Sequence, residues 1–159
     1  MASATTISEP VTEYLERVRE LYADIREWMS EEPGVTFSED EKTRLNEEYT
    51  GPYKAPILKV ARKQRPFLTF VPKGAYVVGA MGRVEALGPL GSETLVWVEE
   101  GGPAIAFRQS AGGDVEVLHG RPLFPGVSQG WAWVDNSRRR LVHLDRKVFL
   151  SKVVRALSE

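Results

Sequence analysis

Residues 66–100 read PFLTFVPKGAYVVGAMGRVEALGPLGSETLVWVEE, and the pattern of this stretch decides the fold. β-branched and aromatic residues run in short bursts, and Gly or Pro interrupts them every few positions, as in strands joined by tight turns. The bursts are Pro66–Val71, Ala75–Ala80, Arg83–Leu87 and Glu93–Glu99. Turns are expected at Pro72-Lys73-Gly74, just before Arg83 at Gly82, and over Gly88–Ser92. Parallel neighbours need a crossover of about a dozen residues or more. None of these gaps offers one, so the strands must run antiparallel.

Working outward, Pro56–Ala61 reads as a strand, Arg62-Lys63-Gln64-Arg65 as a charged hairpin tip, and Thr50-Gly51-Pro52 as a turn. On the other side Ala104–Arg108 and Val115–Leu118 follow Gly-rich turns. A loop rich in Gly and Pro spans His119–Gly130. Trp131–Val134 then places Trp131 and Trp133 on one face of a strand. Asp135-Asn136-Ser137 turns into Arg138-Arg139-Arg140, and Leu141–Leu144 returns.

Two helices flank this sheet. Val11, Tyr14, Leu15, Val18, Leu21, Tyr22, Ile25, Trp28 and Met29 fall on one stripe at helical spacing, which predicts a helix over about 9–30. Ser8 is its expected N-cap, and Pro33-Gly34 stop it. At the other end Asp145 reads as an N-cap, with Leu144 and Phe149 at the spacing of a hydrophobic staple. Phe149, Leu150, Val153, Val154 and Leu157 form the apolar side of that second helix. Between the first helix and the strands, Val35–Phe37 suggests a short strand. Ser38 with Glu41 three later resembles a capping box, and Leu45 and Tyr49 are the apolar anchors that follow. Helix and strand both remain open for 38–49.

The expected fold class is therefore α+β: an antiparallel β-meander of about six to eight strands, with a long N-terminal and a short C-terminal helix packed on it. Residues 1–8 are expected to be a flexible end, and 9–159 a single domain. Both helices are expected on one sheet face. The other face is then polar, curled on itself, or covered by the 119–130 loop or a partner.

Composition narrows the function classes. Hydrophobic residues at 42% and charged residues at 27% suit a folded globular chain. The net charge of −1 supplies no global field to draw nucleic acid or an anionic membrane. The chain has no cysteine, which excludes disulfides, thiolate metal sites and cysteine nucleophiles. MASATTISEP lacks a basic n-region and an apolar run, so no signal peptide is expected, and no window is apolar enough for a membrane span. A bacterial, cytoplasmic location is the expectation.

No motif carries chemistry securely. His119 and His143 lack metal-ligand partners at a recognised spacing. Gly126-Val127-Ser128-Gln129-Gly130 matches the letters of the nucleophile elbow, but that elbow needs a strand before it and a helix after it. Here a loop precedes and a strand follows. The paired glycines at Gly79 and Gly82, and at Gly88 and Gly91, fit hairpin turns better than phosphate loops.

Gly82-Arg83-Val84-Glu85 followed by Leu95-Val96-Trp97-Val98-Glu99 resembles part of the PD-(D/E)xK nuclease superfamily. There an acid on one strand and an acid-x-Lys on the next hold a divalent metal. The lysine position is Gly101 in this chain, the first acid is Glu85 rather than Asp, and no helix follows Glu99. The resemblance implies at most a degenerate metal-dependent nuclease-like or small hydrolase domain using Glu85 and Glu99.

The leading expectation is a non-enzymatic binding or adaptor module acting through a sheet face or groove, with no cofactor and no metal. The candidate binding residues are Trp97, Trp131, Trp133, Arg138, Arg139, Arg140 and His119. The expected partner is a protein or a second copy of the chain. Nucleic acid, held by the basic hairpin tips, is less favoured, and no membrane is expected.

Overall fold

In the computed structural model the described residues are 9–48, 50–75, 81–100, 105–109, 115–119 and 128–158, with the backbone alone for 105–109 and 115–119. The apolar stripe of the N-terminal segment folds as helix α1 (Glu9–Trp28). Val11, Tyr14, Val18, Leu21, Tyr22, Ile25 and, just past its end, Met29 are all buried. The expected cap Ser8 lies outside the described residues. The chain leaves α1 two residues earlier than the spacing suggests, and Gly34 turns it with a φ of 75°.

Eleven strands follow among the described residues: β1 (Val35–Ser38), β2 (Lys42–Glu47), β3 (Gly51–Pro56), β4 (Leu58–Arg62), β5 (Arg65–Gly74), β6 (Arg83–Gly88), β7 (Gly91–Val98), β8 (Ile105–Gln109), β9 (Val115–His119), β10 (Gly130–Asp135) and β11 (Arg140–His143). Seven of them form one sheet in the order β1-β4-β5-β6-β7-β10-β11, antiparallel throughout. The meander from β4 to β7 is its centre. Two hairpins, β2–β3 and β8–β9, leave the main chain path and pair only within themselves. The fold is α+β, as the strand and helix signals imply.

The segment that allows either helix or strand, 38–49, resolves to strand over Lys42–Glu47. Its exposure alternates, and Leu45 pairs across the hairpin with Tyr53, both packing against the core. A helix would give Leu45 no such partner. Ser38 does not cap a helix; its hydroxyl donates to Asp40 at 3.0 Å. Residues 56–61 are not one strand either. The chain changes sheets at Ile57, whose N–H donates to the Glu41 carbonyl at 2.9 Å. Gly51 and Pro52, expected in a turn, already belong to β3.

Pro72-Lys73-Gly74 is likewise not a turn: β5 runs through it. Pairing of β5 with β4 ends at Phe70, so the missing N–H of Pro72 falls where no neighbour on that side needs it. On the other side the register with β6 shifts between Pro72 and Gly74. This irregularity disturbs the local ladder, and α1 repairs it. The Gly74 N–H donates to the Tyr14 hydroxyl at 3.3 Å, and that hydroxyl donates to the Arg83 carbonyl at 2.5 Å. Tyr22, two turns along, donates to the Pro56 carbonyl at 2.6 Å. Burial pushes both phenols well above the ordinary tyrosine range. Gly82 permits the close approach of α1, since a Cβ there would lie 2.8 Å from Tyr14 Cδ1. The strand expected over Ala75–Ala80 lies outside the described residues apart from Ala75.

The sheet ends with the C-terminal helix. Asp145 caps it as expected, its carboxylate accepting from the Val148 N–H at 2.8 Å. The helix comprises a turn α2 (Arg146–Val148), a π-helical stretch Phe149–Val154, and α3 (Arg155–Ser158). Leu144 and Phe149, the staple pair, are both buried. Phe149, Val153, Val154 and Leu157 share one core with the α1 stripe and with Leu58, Phe70, Val84 and Leu95 of the sheet. Both helices therefore cover the same sheet face. On the opposite face Val96, Val98 and Ala132 form a second, smaller apolar cluster, with Val134 and Leu141 packed against it.

The hairpin tips obey local chemistry. Lys63 and Gln64 both take positive φ, 51° and 67°, as a two-residue hairpin loop with the twist of its strands requires. At the β10–β11 tip, buried Asp135 accepts from the Ser137 hydroxyl at 2.7 Å, the Arg138 N–H at 3.3 Å and Arg140 Nε at 3.0 Å. Foremost the serine, then the arginine and the backbone N–H, hold the Asp135 carboxyl below its ordinary value against the opposing effect of burial. Such a group stabilises the fold above its unfolded pKa and stops doing so as pH falls through its folded one. Asp135→Asn is therefore expected to lower the melting temperature at pH 7, and the gap to wild type is expected to close below about pH 4. Thermal melts across that range check it; an equal gap at pH 7 and pH 3 would contradict the assignment.

Candidate functional site

Pairing of β10 with β11 starts at Ala132, so the Gly130 end has β7 on one side and a gap on the other. Gly130 has a φ of 136°, a conformation that disfavours any side chain, and presents no Cβ between Trp131 and the edge strand. His143, at the end of β11, lies beside this gap, and its Cε1 would be 4.0 Å from a Cβ at Gly130. The second half of α1 passes on one side, and Leu144-Asp145-Arg146 closes the other. Together these elements line a groove of about 380 Å³.

Its walls are of two kinds. Trp28, Trp97, Trp131, Leu21 and Leu144 supply apolar surface, while Glu20, Asp24, His143, Asp145 and Arg146 supply charge or hydrogen-bonding groups. Trp131 is fixed by its indole N–H, which donates to the Arg17 carbonyl on α1 at 2.9 Å. Trp28 packs against Phe149 with ring centroids 5.3 Å apart. Two rings of the wall are thus each held by a contact away from the groove.

Glu20, Asp24 and Trp28 follow one another at four-residue spacing, which sets them in line along α1. Partial burial, then the neighbouring Glu27 and Glu20, raises the Asp24 carboxyl above its ordinary value. Neither Glu20 nor Asp24 forms an ion pair among the described residues. Arg146 is taken by Glu31 at 3.1 Å, and Asp145 caps the C-terminal helix. Three carboxylates thus face one already paired guanidinium, and the groove is acidic.

The sequence-derived candidates distribute as follows. Trp97 and Trp131 are cross-strand partners; both are buried members of the core, and the small part of each that stays accessible lines the groove. Trp133 is buried in the core, its indole N–H donating to Glu93 at 2.9 Å, with Lys152 5.8 Å from its ring. Arg138, Arg139 and Arg140 sit at the opposite end of β10, about 16 Å away along the strand. They are exposed, and Arg140 is held by Asp135. His119 ends β9, a position described by its backbone.

Glu85 and Glu99 are not brought together. Glu85 lies on the face of Thr94, where it is bonded to Arg83 at 3.0 Å and accepts from the Thr94 hydroxyl at 3.3 Å. Glu99 lies beyond the end of β7 and is exposed. Among the described residues, no group of three or more His, Asp or Glu side chains is arranged to hold a metal. Ser128, the serine of the elbow-like letters, is followed by strand β10 and not by a helix.

The residues that the motifs missed are Glu20, Asp24 and Trp28. A readable signal exists: two acids and a tryptophan at four-residue spacing beside the apolar stripe, with no cation among them. No helix among the described residues is long and apolar enough to cross a membrane. Comparison with protein-family models, with curated proteins and with solved structures finds no match to this chain.

Proposed function

We propose that this chain is a non-enzymatic binding module whose groove between α1 and the β10–β11 hairpin receives a segment of another protein. The observation that carries the reading is the groove itself: three tryptophans contribute to its wall, and beside them stand Glu20 and Asp24, which form no ion pair among the described residues. An aromatic wall gains most from burying one side chain, and rim charges orient that side chain without much cost in water. The other two readings of the sequence have less support, since Glu85 is occupied by Arg83 and Thr94, and Arg140 by Asp135.

Peptides selected from a random library against the whole protein, then added to isotope-labelled protein, test the proposal by nuclear magnetic resonance. Shifts are expected at Glu20, Asp24, Trp28, Gly130, Trp131 and His143. Shifts confined to the Arg138–Arg140 tip, or to Val96 and Val98 on the opposite sheet face, would overturn it.

A further inference from the structure

Two arginines of α1 each join a carboxylate to an aromatic ring. Near its start the guanidinium of Arg17 lies 3.6 Å above the Trp97 ring and 3.6 Å from the Glu13 carboxylate. In its last turn Arg26 lies 5.2 Å from the Phe37 ring and pairs with Glu39. Between these two assemblies stand Glu20 and Asp24, one turn apart, with Trp28 one turn further and Trp131 lining the same groove. Here the carboxylates and the rings are present, and the one described guanidinium in the lining, Arg146, pairs with Glu31 rather than with Glu20 or Asp24.

We propose that this part of the groove binds an organic cation, the ammonium or guanidinium of a lysine or arginine side chain on the protein partner, between the Glu20 and Asp24 carboxylates and the indoles of Trp28 and Trp131. The inference rests on the groove being the docking site. Aromatic faces attract such cations, and the attraction grows when water is excluded. A divalent metal fits poorly, because it needs several oxygen ligands at short range and rings offer none. The like-charged pair at four-residue spacing destabilises the helix that carries it. A partner's cation would relieve that repulsion.

The test uses the full chain and four probes: alanine pentapeptide amides with arginine, lysine, glutamine or glutamate at the centre. Binding is read from the indole and backbone resonances of the groove. The arginine and lysine peptides are expected to bind about ten-fold more tightly than the glutamine peptide, and the glutamate peptide more weakly still. Acetyl-arginine amide is expected to bind more weakly than the arginine peptide; equal affinity would overturn the assignment to a partner's side chain in favour of a small free cation. The double variant Glu20→Gln with Asp24→Asn is expected to lose about ten-fold in arginine-peptide affinity. It is also expected to melt at or above the wild-type temperature, an outcome a purely structural role for these acids would not give. If the glutamine or glutamate peptide binds the groove as tightly as the arginine peptide, the cation assignment falls and the docking groove stands. If no probe moves any groove resonance while a library-selected peptide does, only the cation assignment falls; if neither does, both fall.

Discussion

Phe149→Ala is expected to cost about 3–5 kcal/mol of stability, the largest loss of any single substitution considered. Phe149 is fully buried, with its ring 5.3 Å from Trp28 on α1 and 6.0 Å from Phe70 on β5. From the C-terminal helix its ring reaches both the first helix and the sheet centre. Truncation leaves a cavity that three separate elements must close, and close packing lets such sites collapse only in part. Urea denaturation measures the effect. A loss under about 1 kcal/mol, the ordinary cost of a point substitution, would mean that the C-terminal helix does not pack as described. Because Trp28 leans on Phe149, the variant is also expected to loosen the groove wall and weaken peptide binding.

Tyr14→Phe is expected to cost about 1–3 kcal/mol, a large figure for the removal of one oxygen. The hydroxyl accepts from the Gly74 N–H and donates to the Arg83 carbonyl, where the β5–β6 ladder slips register. Phenylalanine keeps the ring and its packing but leaves a buried donor and a buried acceptor without their partner. The effect has a local signature: amide hydrogen exchange at Gly74 is expected to quicken more than exchange at Val84 or Phe70, deeper in the same strands. Unchanged protection at Gly74 would show that the hydroxyl is not what satisfies that amide.

These two positions also show what could be read from the chain and what could not. The helix stripe containing Tyr14 was legible because its spacing is set by burial alone, and the cap and staple at Asp145, Leu144 and Phe149 were legible because they are local. The absence of any crossover fixed the antiparallel sense of the strands. Register was not legible. Pro72 looks like a turn residue, and only the early end of β4 makes it acceptable inside β5. The strand identity of Lys42–Glu47 likewise depends on a partner, Tyr53, that no local pattern names.

The site divides along the same line. Trp97, Trp131 and Trp133 were all readable as candidates because an indole offers a large apolar surface with a polar handle; which of them border the groove was not legible. That Trp97 and Trp131 meet Glu20, Asp24 and Trp28 follows from how α1 crosses the sheet, a tertiary fact. Acids on a helix otherwise look like a solvated face. The Arg138–Arg140 run drew attention as a charge cluster, yet Asp135 beneath it gives Arg140 a structural task.

A crystal structure of the chain with the arginine-centred alanine pentapeptide tests the groove most directly. The expected result is a guanidinium within about 6 Å of the Trp28 or Trp131 ring and within about 4 Å of the Glu20 or Asp24 carboxylate. A peptide seated instead on the Arg138–Arg140 tip, or against Val96 and Val98 on the opposite sheet face, would contradict the assignment of the groove.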